Sequence, residues 1–210
     1  NKKGNFLERL IFDEILSTFL IYSKIRKTIK KFKKEKKIFN EDFSNNIKKK
    51  LNYNLTTDQN NALNEINNDL KSEEKMFRLL QGDVGSGKTI VALISCLNVV
   101  NSGNQVAFMA PTEILAYQHY KLAQSLIKNK IKIGFLTSKT DYTERKRIIK
   151  DLENGEIKIL FGTHSVFQEK INYKKLGLVV IDEQHKFGVK QRKKLSDKGG
   201  KNCDVLVMSA

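Results

Sequence analysis

Eight consecutive residues constrain this chain more than any other feature. Gly82-Asp83-Val84-Gly85-Ser86-Gly87-Lys88-Thr89 satisfies G-x-x-x-x-G-K-[ST] in full, with the apolar run Phe77–Leu80 before it and an apolar stretch from Ile90 after it. In that setting the pattern forms a strand-to-helix turn that cradles phosphate. Its glycines let the main chain close around phosphate oxygens, while loop N–H groups and the helix N-terminus supply positive potential. Lys88 is expected to reach the β- and γ-phosphates and Thr89 to ligate Mg²⁺, so ATP and Mg²⁺ are the expected cofactors.

From Leu55 onward, short apolar runs alternate with longer helical stretches. Strands are expected at Phe77–Leu80, Gln105–Ala110, Ile131–Leu136, Ile157–Phe161, Leu178–Ile181 and Val205–Ser209, and helices at about 58–70, 88–101, 113–128, 142–153 and 188–196. Strand-helix alternation implies crossover units and a parallel sheet. Runs such as Leu178-Val179-Val180-Ile181, apolar without alternation, suit strands covered on both faces. The expected fold is therefore α/β, a P-loop NTPase sheet flanked by helices. The only proline, Pro111, follows a strand and precedes a helix, where its missing N–H is harmless. Gly103 stands where a left-handed cap would end the helix after the phosphate loop.

The charge is uneven. Of a formal +16, residues 1–54 hold 15 Lys/Arg against 6 Asp/Glu, and residues 55–210 hold 24 against 17. Such an excess suits a polyanionic partner, because lysines beside phosphates release counterions; a solvated basic surface is the alternative. Residues 6–37 place Leu7, Leu10, Ile11, Ile15, Phe19, Ile25, Ile29 and Phe32 at an irregular helical spacing, which reads as one or two amphipathic helices. The lysine-rich run 27–37 is either a nucleic-acid contact or a solvated face. Residues 38–54, polar and rich in Asn and Lys, read as a connection. Two units follow: a basic helical segment, 1–54, and a nucleotide-binding unit, 55–210.

Cys96 and Cys203 have neither metal-ligand spacing nor a disulfide framework, and are expected to be small buried hydrophobes in a reducing compartment. The apolar stretch 15–25 is interrupted by Lys24 and falls far short of the ~20 residues of a membrane span. Neither an anchor nor a signal peptide is expected.

At Asp182 and Glu183, the run Leu178–Ile181 delivers two carboxylates to the strand end where parallel sheets bind ligands. Asp182 can hold hydrated Mg²⁺, and Glu183 can orient and deprotonate an attacking water. An exposed pair of loop acids would look similar. Placed downstream of a complete phosphate loop, however, the pair gains weight.

With Gln184 and His185 the run becomes Asp-Glu-Gln-His, and the sequence resembles superfamily 2 nucleic-acid helicases. Ala110-Pro111-Thr112-Glu113 with Gln118-His119, Gly162-Thr163-His164, and Ser209-Ala210 resemble further motifs of the first helicase lobe, in the right order. The resemblance narrows to the RecG-type branch-migration helicases through Gln81–Thr89, Gly162-Thr163-His164 with Phe167-Gln168-Glu169, and Asp182–Arg192. The opening run Arg9–Leu16 resembles the helical segment before the motor in that family.

This resemblance implies a RecA-like motor lobe preceded by a helical linker, in an ATP-dependent DNA helicase that acts on forks and four-way junctions in repair and recombination. It places Thr112, Glu113, Thr163 and His164 near the DNA backbone. Gln184 and His185 would couple the γ-phosphate to a second lobe, and Gln59 would lie near the adenine. His119 and His164 are equally readable as packed or solvated imidazoles. A bacterial cytoplasmic, nucleoid-associated location is implied, with DNA as partner and no membrane. Lys186 stands where the family usually has Arg and cannot make the same bidentate contacts.

Because the chain stops at Ala210 inside a motif, the expectation is a fragment lacking the second lobe, its arginine and the N-terminal wedge that grips branched DNA; alone it should bind nucleotide weakly and unwind nothing. Three alternatives compete. A transcription-repair coupling translocase typically carries Phe in place of Ser86 and Glu in place of Gln184. A nucleotide-switch binding module would hydrolyse ATP indifferently to nucleic acid. A small-molecule kinase would waste ATP with a water-orienting carboxylate.

Overall fold

The computed structural model describes residues 33–127, 130–168, 170–182 and 200–209, together with scattered helical positions between 9 and 23. The helix expected at 188–196, and most of the segment expected to be helical over 6–37, lie outside the described residues.

All six expected strands form, within one or two residues of their predicted ends: β1 (Phe77–Gln81), β2 (Gln105–Met109), β3 (Ile133–Leu136), β4 (Ile159–Gly162), β5 (Leu176–Ile181) and β6 (Asp204–Ser209). They build one sheet in the order β1-β6-β5-β2-β4-β3, and every neighbouring pair is parallel. Among the residues described from 33 onward, five helices accompany them: α1 (Asp42–Lys48), α2 (Thr57–Lys71), α3 (Lys88–Asn101), α4 (Glu113–Ile127) and α5 (Tyr142–Glu153). A 3-10 turn covers His164–Phe167.

Strand alternation sends side chains to two cores. On one face Val106, Phe108, Leu178, Val180 and Leu206 pack with α3 and with Leu63, Ile66 and Leu70 of α2. On the other, Ala107, Met109, Val179, Ile181 and Val207 pack with Ile148 and Leu152 of α5. β2 and β5 are buried along their whole length, as unalternating apolar strands require. Helix α3 is buried from Ile90 to Val99, as expected of a helix apolar all round. Each large aliphatic side chain buried there contributes about 1.5–3 kcal/mol. The helix ends at Gly103 (φ 81°), where the Asn104 N–H donates to the Val99 carbonyl in a left-handed cap.

Cys96 and Cys203 are both buried, one in each core, and burial pushes both thiols up, Cys203 to about 12. Their expected role as packed hydrophobes is what the structure shows.

The stretch 38–54 departs from the reading as a plain connection. It contains α1, and Phe39 and Ile47 enter the same core as α2 and α3. Just before it, Lys34 and Lys37 fit neither reading of the lysine run: each is buried, with its ammonium 2.6 Å from Asp204 Oδ2 at the start of β6. Two apolar side chains and two ion pairs therefore fasten this basic segment to the sheet. Among the described residues, no helix is long and apolar enough to cross a membrane.

Candidate functional site

Because the sheet is all parallel, the segments leaving β1, β2, β4 and β5 emerge at one edge. They carry Gly82, Thr112, Thr163 and Asp182 respectively. β6 alone separates β1 from β5, so the ends of those two strands lie about 10 Å apart at the usual strand spacing. The Gly82 N–H donates to the Ser209 carbonyl at 3.3 Å, which pins the start of the phosphate loop to the end of β6. The Asp182 N–H donates to the Met109 carbonyl at 2.9 Å, which holds the acid to the end of β2.

The loop has the backbone its glycines allow. Gly85 and Gly87 take φ of 84° and 80°, a left-handed region that disfavours side chains. Gly87 is the N-cap of α3 and provides no side-chain cap, whereas α2 is capped by Thr56 and α5 by Asp141. The first-turn N–H groups of α3 therefore face the loop without a capping side chain. The Ser86 N–H closes a turn on the Asp83 carbonyl at 3.1 Å. Lys88 folds back along the loop, its ammonium donating to the carbonyls of Gly82 and Asp83. Val84, Gly85 and Ser86 are exposed, while Lys88 and Thr89 are half-buried at the foot of the loop.

Gln59 meets this loop from α2. Its carboxamide oxygen accepts from the Thr56 N–H at 2.9 Å and its amide nitrogen donates to the Ser86 carbonyl at 2.8 Å. Together with the Thr56 hydroxyl, which accepts from the Gln59 N–H, this completes a capping box. A Cβ on Gly87 would come within 2.5 Å of the Gln59 amide nitrogen, so the two residues are in direct contact.

Asp182 is buried. Its Oδ2 lies 2.7 Å from Nε2 of His119, a buried residue of α4 whose ring centroid is 5.0 Å from that of Phe108. The chemical meaning of this pair was not readable in sequence. The available signal was positional: Ala116, His119, Ala123 and Ile127 form the buried row of α4, which makes His119 a core-facing imidazole.

Thr112 and Glu113 open α4, where the Thr112 hydroxyl accepts from the Leu115 N–H. Glu113 accepts from Ser138 and from Lys139 in the loop after β3, and the Lys139 ammonium beside it holds its carboxyl below the usual range. β4 neighbours β2, and the Ala110 N–H donates to the Gly162 carbonyl at 3.0 Å, so Thr163 and His164 lie beside the Thr112 end. Thr112 and His164 are exposed. Gly162 is forced at its position, since a Cβ there would sit 1.9 Å from the Leu136 carbonyl oxygen.

Glu183, Gln184 and His185 lie outside the described residues, as does the run 186–192. Among the described residues, no three His, Cys, Asp or Glu side chains gather into a metal cage.

Comparison with known proteins agrees with this architecture. The DEAD/DEAH box helicase family matches residues 56–210. The ATP-dependent DNA helicase RecG of Thermotoga maritima is 46% identical over 204 residues, covering 97% of this chain and 26% of that protein. The RecG protein of Aquifex aeolicus is likewise 46% identical, over 205 residues, with 97% of this chain and 26% of the relative covered. Among solved structures, RecG bound to a three-way DNA junction superposes with a TM-score of 0.81 at 42% identity, covering 97% of this chain and 27% of that one. The chain thus spans about a quarter of the length of these relatives. The resemblance to RecG read from the motifs extends through nearly the whole chain, and the chain belongs to the DEAD/DEAH box helicase family.

Proposed function

We propose that this chain provides the first motor lobe of an ATP-dependent DNA helicase of RecG type, acting on branched DNA. Residues 55–210 form the RecA-like lobe in this reading, and residues 1–54 a basic helical segment before it, of which Lys34, Lys37, Phe39 and Ile47 pack against the lobe. The observation that carries the proposal is the complete phosphate loop between β1 and α3, with Asp182 presented on the same sheet edge. Support for the DNA substrate comes from the relatives: the name RecG denotes an ATP-dependent DNA helicase, and the superposed RecG structure holds a three-way junction.

The residues present suit a Mg²⁺-nucleotide. The left-handed Gly85 and Gly87 and the α3 N-terminus, which lacks a side-chain cap, offer backbone donors to phosphate oxygens. The Lys88 ammonium exchanges its carbonyl partners for the β- and γ-phosphates. The Thr89 hydroxyl and the Asp182 carboxylate would hold the cation, a site of few protein ligands being usual for Mg²⁺ bound together with substrate phosphates. Magnesium, when bound, neutralises charge that builds on the transferred phosphoryl group. Glu183 orients the attacking water and takes its proton, while Gln184 and His185 relay the presence of the γ-phosphate toward a second lobe. Gln59 borders the adenine end of the loop. Thr112, Glu113, Thr163 and His164 line the neighbouring part of the same edge and contact the DNA backbone.

ATP turnover by the full-length natural protein, with and without forked DNA, tests this reading beside a Lys88→Ala control. Strong stimulation by forks, lost in the variant, is expected. Turnover indifferent to every nucleic acid would overturn it.

A further inference from the structure

We infer that His119 is a positioning residue for the metal site: its Nε2–H holds one oxygen of Asp182 and leaves the other for the cation. The inference rests on the proposed role of Asp182 as the Mg²⁺ ligand. Four observations support it. The Nε2 to Oδ2 distance is 2.7 Å, and the two side chains are only 10% and 11% exposed. A carboxylate this buried needs a donor, because an unpaired buried charge is strongly unfavourable. His119 is itself fixed, on the buried row of α4 and with its ring tilted 47° against Phe108, so it cannot swing away as a surface side chain would. Finally, the Asp182 backbone is tied independently through its N–H to Met109, so the imidazole governs only the direction of the carboxylate.

The chemistry requires one tautomer. Nε2 carries the hydrogen and donates to Oδ2, which becomes a committed acceptor. Oδ1 is then the oxygen directed to the cation. Ligating carboxylates are commonly hydrogen-bonded in this way, and losing such an outer partner lowers metal affinity or activity by about 10- to 100-fold. A purely structural His119 would instead affect folding and nucleotide binding with or without metal.

The test uses the full-length natural protein and a fluorescent ADP analogue, titrated with and without Mg²⁺. His119→Ala should raise the Mg²⁺ concentration needed for tight nucleotide binding by about 10-fold or more, and leave Mg²⁺-free affinity unchanged. His119→Asn, which keeps a polar group but cannot place a donor at the Nε2 position, should behave the same way and serves if the alanine variant folds poorly. His119→Gln, whose amide nitrogen reaches that position, should restore most of the Mg²⁺ response. Unchanged Mg²⁺ dependence in both His119→Ala and His119→Asn would overturn the inference. So would an equal loss of affinity with and without the metal. Asp182→Asn separates the two proposals: if it too leaves the Mg²⁺ response intact, the role of Asp182 is wrong; if it abolishes the response while the His119 variants do not, only the role of His119 is wrong.

Discussion

Lys34 reaches from the segment before the lobe to place its ammonium 2.6 Å from Asp204 Oδ2, with both side chains fully buried. Lys37 occupies the same carboxylate oxygen at 2.6 Å, and the Met76 N–H donates to Oδ1 at 2.7 Å. One acid thus joins the basic segment, the residue before β1 and the start of β6. Replacing it strands two buried lysines. Asp204→Asn is expected to lower unfolding free energy by about 3–5 kcal/mol, the usual penalty for removing one partner of a buried ion pair. Chemical denaturation checks this, and a loss below about 1 kcal/mol would mean the clamp is not structural.

The same cluster predicts a pH effect. Burial lowers the pKa of Lys34 most, and the neighbouring Lys37 charge acts in the same direction, against the opposing pull of Asp204. A lysine whose folded pKa lies below its ordinary 10.5 binds fewer protons folded than unfolded between those two values. Its contribution to stability therefore rises as pH increases through the folded value toward 10.5. The difference in unfolding free energy between the native chain and Lys34→Met should shift in favour of the native chain over that window. A flat difference would contradict the assignment.

Two glycines should respond differently to alanine. At Gly162 a Cβ meets the Leu136 carbonyl oxygen at 1.9 Å and Val166 Cγ1 at 2.8 Å, so β3 and β4 must separate. Gly162→Ala should destabilise by about 2–3 kcal/mol or more, as overpacking against backbone does. At Gly87 the nearest atom is the movable end of Gln59, but φ is 80°. Gly87→Ala should cost only about 1–2 kcal/mol while displacing Gln59 and weakening nucleotide binding. Thermal melts paired with nucleotide titrations separate the two outcomes.

Gln59 offers a finer dissection. Gln59→Glu keeps an acceptor for the Thr56 N–H yet sets a carboxylate against the Ser86 carbonyl, where the amide donated at 2.8 Å. Stability should change by less than about 1 kcal/mol, since the cap survives, while nucleotide affinity falls several-fold. Equal losses in both would mean that Gln59 serves the helix and not the loop.

Much of this was legible in the chain because local chemistry was strong. Unalternating runs such as Leu178–Ile181 gave the buried strands, and the loop from Gly82 to Thr89 fixed both the turn and the sheet edge that carries the site. What escaped depended on partners distant in sequence. Nothing near Lys34 or Lys37 announces Asp204, which lies 170 and 167 residues away, and lysines in a basic run look solvated until a buried acid is found for them. His119 meets Asp182 across 63 residues, so the pairing could not be foreseen without the sheet order that brings the end of β5 within reach of α4. Helix α1 was missed because Asp42, Ser44, Asn45 and Asn46 have weak helix propensity, and it is the burial of Ile47 that holds it in place.

The most direct measurement of the central claim is strand displacement from a three-way DNA junction by the full-length natural protein, with ATP and Mg²⁺, beside Lys88→Ala and Glu183→Gln. The account predicts displacement that requires ATP, is lost in both variants, and leaves junction binding by Glu183→Gln intact. Displacement that persists without ATP or in Lys88→Ala, or failure of the native protein to remodel any branched DNA, would contradict it.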